Sequence, residues 1–173
     1  MKRPETVTTV RIAVAADLPR LHPVIERAYR GDSARQGWTH EADLLSGERI
    51  DDDTLRAMLA DPAQILLIAE QGQVALGCVS LTARGDGLVY LGLLCVDPMR
   101  QAGGIGKAII AAAEKVARDT LDGDRIEMTV IDSRIELIAY YERRGFVRTG
   151  ERRPFPVAID PPLGMVVLEK ALA

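Results

Sequence analysis

The densest chemistry in the chain lies in Leu94-Cys95-Val96-Asp97-Pro98-Met99-Arg100-Gln101-Ala102-Gly103-Gly104-Ile105-Gly106-Lys107: an apolar run, a turn stopped by proline, three glycines and the start of a helix. Such a turn can hold an anion. Glycines let a phosphate approach the main chain, while the unpartnered first N–H groups of a helix and the positive end of its dipole stabilise negative charge. The spacing excludes two familiar nucleotide sites. It lacks the G-x-G-x-x-G of a dinucleotide fold, and it lacks the four residues a Walker A loop places between its first glycine and Gly-Lys-Ser/Thr. A different pyrophosphate ligand is expected, and the bland alternative is a glycine-rich connection that only turns the chain.

A strand must deliver this turn and a helix must follow it. Residues 88–96 read as that strand, with near-continuous apolarity predicting burial on both faces and Gly92 predicting a bulge. Residues 105–120 read as the helix, with Ile105, Ala108, Ile109, Ala112 and Val116 on one stripe. Upstream, residues 7–13 predict a strand, and Asp17 caps a helix carrying Leu18, Leu21, Val24, Ile25 and Ala28. Asp53 or Thr54 starts a short second helix that Asp61-Pro62 stops. Residues 65–70 and 74–82 form a hairpin about Gly72. Downstream come a strand over 125–131, a helix from 135 to about 144 capped by Gly145, a strand from Phe146 and a last strand over 165–172. The expected architecture is α/β (α+β): a mixed sheet of about seven strands with an antiparallel meander and about four helices, in a single domain over 1–173.

Composition narrows the function. With 22 Lys plus Arg against 25 Asp plus Glu the net charge is −3, which argues against a generally basic nucleic-acid binder. The longest apolar stretch, residues 88–96, is far shorter than the about 20 residues of a membrane-spanning helix. No apolar segment follows Met1-Lys2-Arg3, so no secretory signal or membrane partner is expected and a cytoplasmic location is the default. Cys78 and Cys95 read as buried thiols, and scattered His and Cys predict no metal site.

The glycine turn resembles the acetyl-CoA signature of the GNAT family of N-acetyltransferases, Gln/Arg-x-x-Gly-x-Gly/Ala after an apolar strand, matched by Gln101-Ala102-Gly103-Gly104-Ile105-Gly106. A second family block, Tyr-x-x-x-Gly-Phe, is matched by Tyr141-Glu142-Arg143-Arg144-Gly145-Phe146. The resemblance implies the GNAT-like acyl-CoA N-acyltransferase fold. It also implies transfer of the acetyl group of acetyl-CoA (CoA) to a primary amine, by direct attack in a ternary complex. It places the pyrophosphate on the amides of Gln101, Ala102, Gly103, Gly104, Ile105, Gly106 and Lys107, and the pantetheine along the main chain of Leu94, Cys95 and Val96. Tyr141 becomes the candidate general acid, with Tyr140 beside it able to exchange roles. Two positions depart from the family: Arg134 stands where an asparagine often contacts the cofactor, and could pair with a phosphate instead. Tyr90 stands where many members carry a glutamate base.

A neutral amine requires a proton acceptor. Glu127, on the strand beside the expected cleft, is the candidate, equally readable as an outward-facing surface residue. Tyr29, Trp38, His40, Glu41 and Tyr90 are the candidate acceptor wall, since these acetyltransferases usually build it from the segment after the first helix. The acceptor itself, a small amine, an amino acid or a peptide or protein amine, stays open. So do a longer acyl donor, a homodimer through an edge strand, and a CoA-binding regulatory module without turnover.

Overall fold

The computed structural model describes residues 7–29, 50–100, 103–155, 160 and 162–173. Seven strands form one sheet in the order β1-β2-β3-β4-β5-β7-β6. They are β1 Thr9–Ile12, β2 Gln64–Gln71, β3 Val74–Gly85, β4 Leu88–Val96, β5 Arg125–Ile131, β6 Val147–Pro154 and β7 Gly164–Ala171. All neighbours are antiparallel except β4 and β5. The helices are α1 Leu18–Tyr29, α2 Asp52–Ala60, α3 Ile105–Asp119 and α4 Ile135–Glu142.

Two cores follow from the alternation of side chains along the strands. On one face Leu76, Val79, Leu81, Val89, Leu91 and Met128 pack with Ile109, Ala113 and Ala117 of α3 and Ile138 of α4. On the other, Leu66, Ile68, Cys78, Leu93 and Cys95 pack with Leu21, Val24, Ile25 and Ala28 of α1 and Leu55 of α2. Each fully buried aliphatic side chain contributes about 1.5–3 kcal/mol, so both layers are secured mainly by these contacts. The second layer covers only part of its face: β6 is exposed along nearly its whole length, and the β5 end of β4 has no described helix over it.

Four local readings shift. Burial along β4 alternates instead of being continuous, because α1 covers Leu93 and Cys95 but not Leu88, Tyr90 or Gly92. The bulge sits one residue beyond Gly92: Leu93 takes the positive φ of 50° while the register runs from Ser80↔Gly92 to Cys78↔Cys95. Asp51, not Asp53 or Thr54, caps α2, its carboxylate accepting from the Thr54 N–H at 2.7 Å. Asp17 serves α1 by reaching back to the Val14 N–H at 2.8 Å, closing a 3-10 turn that leads into the helix. Gly145 behaves as expected. At φ 94° it donates to the Glu142 carbonyl while Phe146 donates to that of Tyr141, the Schellman end that turns the chain into β6.

Candidate active site

β4 and β5 pair over three positions only, Leu88↔Arg125, Val89↔Ile126 and Tyr90↔Glu127; beyond that point β5 stays with β7 and β4 stays with β3. The strands therefore open into a V whose vertex is Tyr90–Glu127. The bulge reinforces the opening. Two residues, Leu93 and Leu94, stand opposite Val79 alone, and the left-handed Leu93 costs about 1–2 kcal/mol that surrounding packing must offset. The Asp97 N–H donates to the Leu76 carbonyl at 2.7 Å, which makes the Cys78–Cys95 pair the next hydrogen-bonded one. By the same alternation the main-chain groups of Leu94 and Val96 are oriented toward the opening. The Tyr29 hydroxyl donates to the Leu94 carbonyl.

Past the mouth of the V, Asp97 organises the turn. Its carboxylate accepts from Arg27 of α1 at 2.9 Å and from the Met99 N–H at 3.2 Å, and its carbonyl accepts from the Arg100 N–H at 2.8 Å. Gly103 and Gly104 then take φ of 102° and 76°, which side chains other than glycine rarely adopt. Gly104 is the N-cap of α3; it supplies no side-chain cap, and the first turn carries no acidic residue to occupy the amides. This helix end is shaped to receive an external anion.

Between β4, the start of α3 and α4 lies a cavity of about 230 Å³ lined by Leu94, Cys95, Val96, Gly104, Gly106, Lys107, Leu137, Tyr140, Tyr141 and Arg144. The two tyrosines meet edge to face, with ring centroids 5.5 Å apart. Tyr140 closes on the glycine turn, its hydroxyl 2.9 Å from where a Cβ on Gly106 would sit. Tyr141 is buried, and loss of solvent, with smaller contributions from Tyr140 and Cys95, pushes its phenol well above the ordinary value of 10 against the opposing charge of Arg134. It therefore remains a proton donor at neutral pH. Arg144 stacks on Tyr140 with its guanidinium carbon 3.8 Å from the ring centroid, and its Nε is buried with no hydrogen-bond partner. An apolar, amide-lined channel ending in Lys107, helix N–H groups and an unsatisfied guanidinium donor fits a thioester on a flexible arm that terminates in phosphates.

Val89, Leu91, Ile126 and Met128 point into the α3 layer, so Tyr90, Glu127 and Thr129 point to the opposite, open face. There Tyr90 and Thr129 share a hydroxyl–hydroxyl hydrogen bond of 2.8 Å, and the Arg84 guanidinium lies 5.1 Å from the Tyr90 ring centroid. Glu127, its side chain 8% exposed, accepts from Arg153 at 3.1 and 3.3 Å, and Arg153 also donates to the exposed Glu151. These two carboxylates hold the Arg153 guanidinium well above its ordinary proton affinity, so it stays charged.

The expected cofactor residues Leu94, Cys95, Val96, Gly104, Gly106 and Lys107 thus share one cavity with Tyr141. Ile105 instead buries its side chain in the α3 core and can contribute only main chain. Arg134 is the N-cap of α4 and does not line the cavity. Tyr29, expected on the acceptor wall, donates to the Leu94 carbonyl of β4. Glu127 and Tyr90 meet at the vertex on the open face. Gln101, Ala102, Trp38, His40 and Glu41 lie outside the described residues. The sequence offers Arg144 and Arg153 only as members of a basic cluster with Arg143, Arg148 and Arg152, read mostly as a solvated face and otherwise as attraction for a polyanionic cofactor or acidic acceptor, and it does not single out Thr129. The four-residue spacing of Tyr140 and Arg144 on one helical face was a usable signal for the first. The Glu127–Arg153 pair depends on β6 and β5 flanking β7, which no local pattern reveals.

Among the described residues no helix is long and apolar enough to cross a membrane, and no group of three or more His, Cys, Asp or Glu could hold a metal ion. A model of the acetyltransferase (GNAT) family matches residues 25–146. The mycothiol acetyltransferase of Salinispora arenicola is 44% identical over 62 residues, 36% of this chain but 20% of that protein, so the chain matches about a fifth of this relative's length. The ribosomal-protein-S18-alanine N-acetyltransferase of Escherichia coli superposes with a TM-score of 0.74 at 15% identity, covering 96% of this chain and 95% of that one. Salmonella typhimurium yncA with its cofactor acetyl-CoA superposes with a TM-score of 0.72 at 18% identity, covering 96% and 95%.

Proposed function

Because the chain belongs to the acetyltransferase (GNAT) family, we propose that it is an acetyl-CoA-dependent N-acetyltransferase working by direct transfer between two bound substrates. The observation that carries this reading is the placement of a buried, protonated phenol and a buried carboxylate on opposite sides of the gap between β4 and β5. Acetyl-CoA supplies the activated thioester. The amides at the start of α3, Lys107 and Arg144 hold its phosphates, and the main chain of Leu94 and Val96 orients its amide arm.

The acceptor amine enters from the open face. Glu127 takes one proton from its ammonium group, directly or through a water, and the neutral amine attacks the thioester carbonyl to form the N–C bond; as the C–S bond breaks, the Tyr141 hydroxyl gives its proton to the sulfur and takes up the second proton shed by the nitrogen. Protons and charge balance once Glu127 releases its proton to solvent, the net products being the amide, the free CoA thiol and one proton. Fixing the two reactants in one cleft accounts for most of the acceleration, because no group of the chain is acylated.

The test is CoA-thiol release from acetyl-CoA with pools of amines, amino acids and short peptides, with product masses determined and Tyr141→Phe run alongside. Acceptor-dependent release that falls about 10²-fold in the variant is expected. CoA binding with no release for any pool would overturn the enzymatic reading in favour of a regulatory module.

A further inference from the structure

The proposed function leaves the acceptor unnamed, and the open face at the V vertex carries chemistry that narrows it. Among the described residues Glu127 is the carboxylate at the vertex itself, with Glu169 of β7 as its cross-strand neighbour, and the group bonded to it is a cation, Arg153, at 3.1 and 3.3 Å. Arg153 is 34% exposed and its second partner, Glu151, is 54% exposed. A salt bridge of that exposed kind contributes little, so an incoming anion can replace Glu151 on the guanidinium while the pair with Glu127 persists. Arg84, on the adjacent Tyr90 ring, adds a second guanidinium, with no ion-pair partner among the described residues. The described part of this face therefore includes three carboxylates, Glu127, Glu151 and Glu169, and three guanidiniums, Arg153, Arg84 and Arg125, the last 4.0 Å from Glu169.

Resting on the acetyltransferase reading, we propose that the acceptor is a zwitterion of the α-amino acid type, its ammonium group received by Glu127 and its carboxylate by Arg153. Because the two receiving groups are in van der Waals contact, they match positive and negative charges separated by one or two carbon atoms. An amine that carries no carboxylate, a polyamine among them, leaves the Arg153 guanidinium without that partner. A guanidinium is also the group best shaped for a planar carboxylate, through two parallel N–H···O bonds. Arg153 acts here as a specificity residue: it touches the acceptor and leaves the proton transfer to Glu127.

The experiment compares kcat/KM for free amino acids with their methyl esters, their decarboxylated amines and spermidine, in the wild type, Arg153→Met and Arg153→Lys. CoA affinity is measured for every sample by calorimetric titration. Free amino acids are expected to exceed their esters and amines at least tenfold in the wild type. The ratio should fall to about one in Arg153→Met and recover in part in Arg153→Lys, with the CoA Kd unchanged in both. Esters, simple amines or spermidine equalling the acids in the wild type would overturn the assignment, as would a preference that survives in Arg153→Met. In either case turnover and CoA binding leave the acetyltransferase reading standing, whereas absence of CoA binding in the wild type sinks both.

Discussion

Two clusters of carboxylates and guanidiniums sit at opposite ends of the same sheet and do different work. At the β1–β2 end, Asp17 and Glu70 are bracketed by Arg11 and Arg20 through four short bonds of 2.7–3.0 Å, and Asp17 also receives the Val14 N–H. Both acids there accept from both arginines, and the cluster ties β1, the entry to α1 and β2 together. At the β4–β5 vertex, Glu127 has a single guanidinium, shared with an exposed partner, and lies where two strands part. Buried charge alone does not mark a site. What distinguishes the second cluster is its place at a break in strand pairing, where the backbone makes room for a ligand and the outer half of the ion pair can exchange.

Asp17→Ala removes the buried acid from a network whose arginines reach solvent, 41% exposed for Arg11 and 29% for Arg20, and should cost about 1.5–3 kcal/mol of stability, read by chemical denaturation, with kcat little changed. A loss below about 1 kcal/mol would show that this cluster is not a structural clamp. Tyr141→Phe and Glu127→Gln should do the reverse, each lowering kcat by about 10²-fold while moving stability far less than Asp17→Ala does.

Acid titration separates the clusters further. The arginines hold Asp17 well below its ordinary 3.8, and Glu70 below its ordinary 4.5. Carboxylates with depressed folded-state values contribute stability that is complete above the unfolded values and is lost as the pH falls through the folded ones. The wild-type melting temperature should therefore drop steeply below about pH 4.5, and less steeply in Asp17→Asn. Equal slopes would contradict the clamp. The smallest effect belongs to Gly92→Ala: a Cβ there would lie 3.2 Å from the Tyr90 ring and 3.4 Å from the Ser80 hydroxyl. A few-fold rise in the acceptor KM with an unchanged CoA Kd is expected, read from steady-state kinetics, because Tyr90 would shift and the cofactor strand would not.

Much of this architecture is legible in the chain. Strand and helix order follow from periodicity, and the glycine turn is legible because Gly103 and Gly104 precede an uncapped helix that carries Gly106 in its first turn. Gly145 announces the end of α4 in the same way. The bulge was placed on Gly92 because glycine is the usual tolerant residue, yet packing forces the left-handed turn onto Leu93, whose side chain is locked between α1 and the sheet. Burial of β4 was overestimated because an apolar run does not say which stretch a helix will cover. Glu127 could be suspected from its strand, but its contact with Arg153 spans 26 residues and an intervening strand, β7. The bond from the Tyr29 hydroxyl to the Leu94 carbonyl joins residues 65 positions apart, so the tie between the end of α1 and β4 is invisible to local pattern.

The central claim is that the glycine turn and the opening beside β4 hold acetyl-CoA. The most direct measurement is calorimetric titration of CoA into the wild type and Gly104→Glu, with circular dichroism confirming that the variant is folded. At φ 76° a side chain at position 104 strains the turn, and a carboxylate there would occupy the amides that a phosphate needs. The account predicts one-to-one binding to the wild type and at least a hundredfold weaker binding to the folded variant. Equal affinity in the two proteins would contradict it.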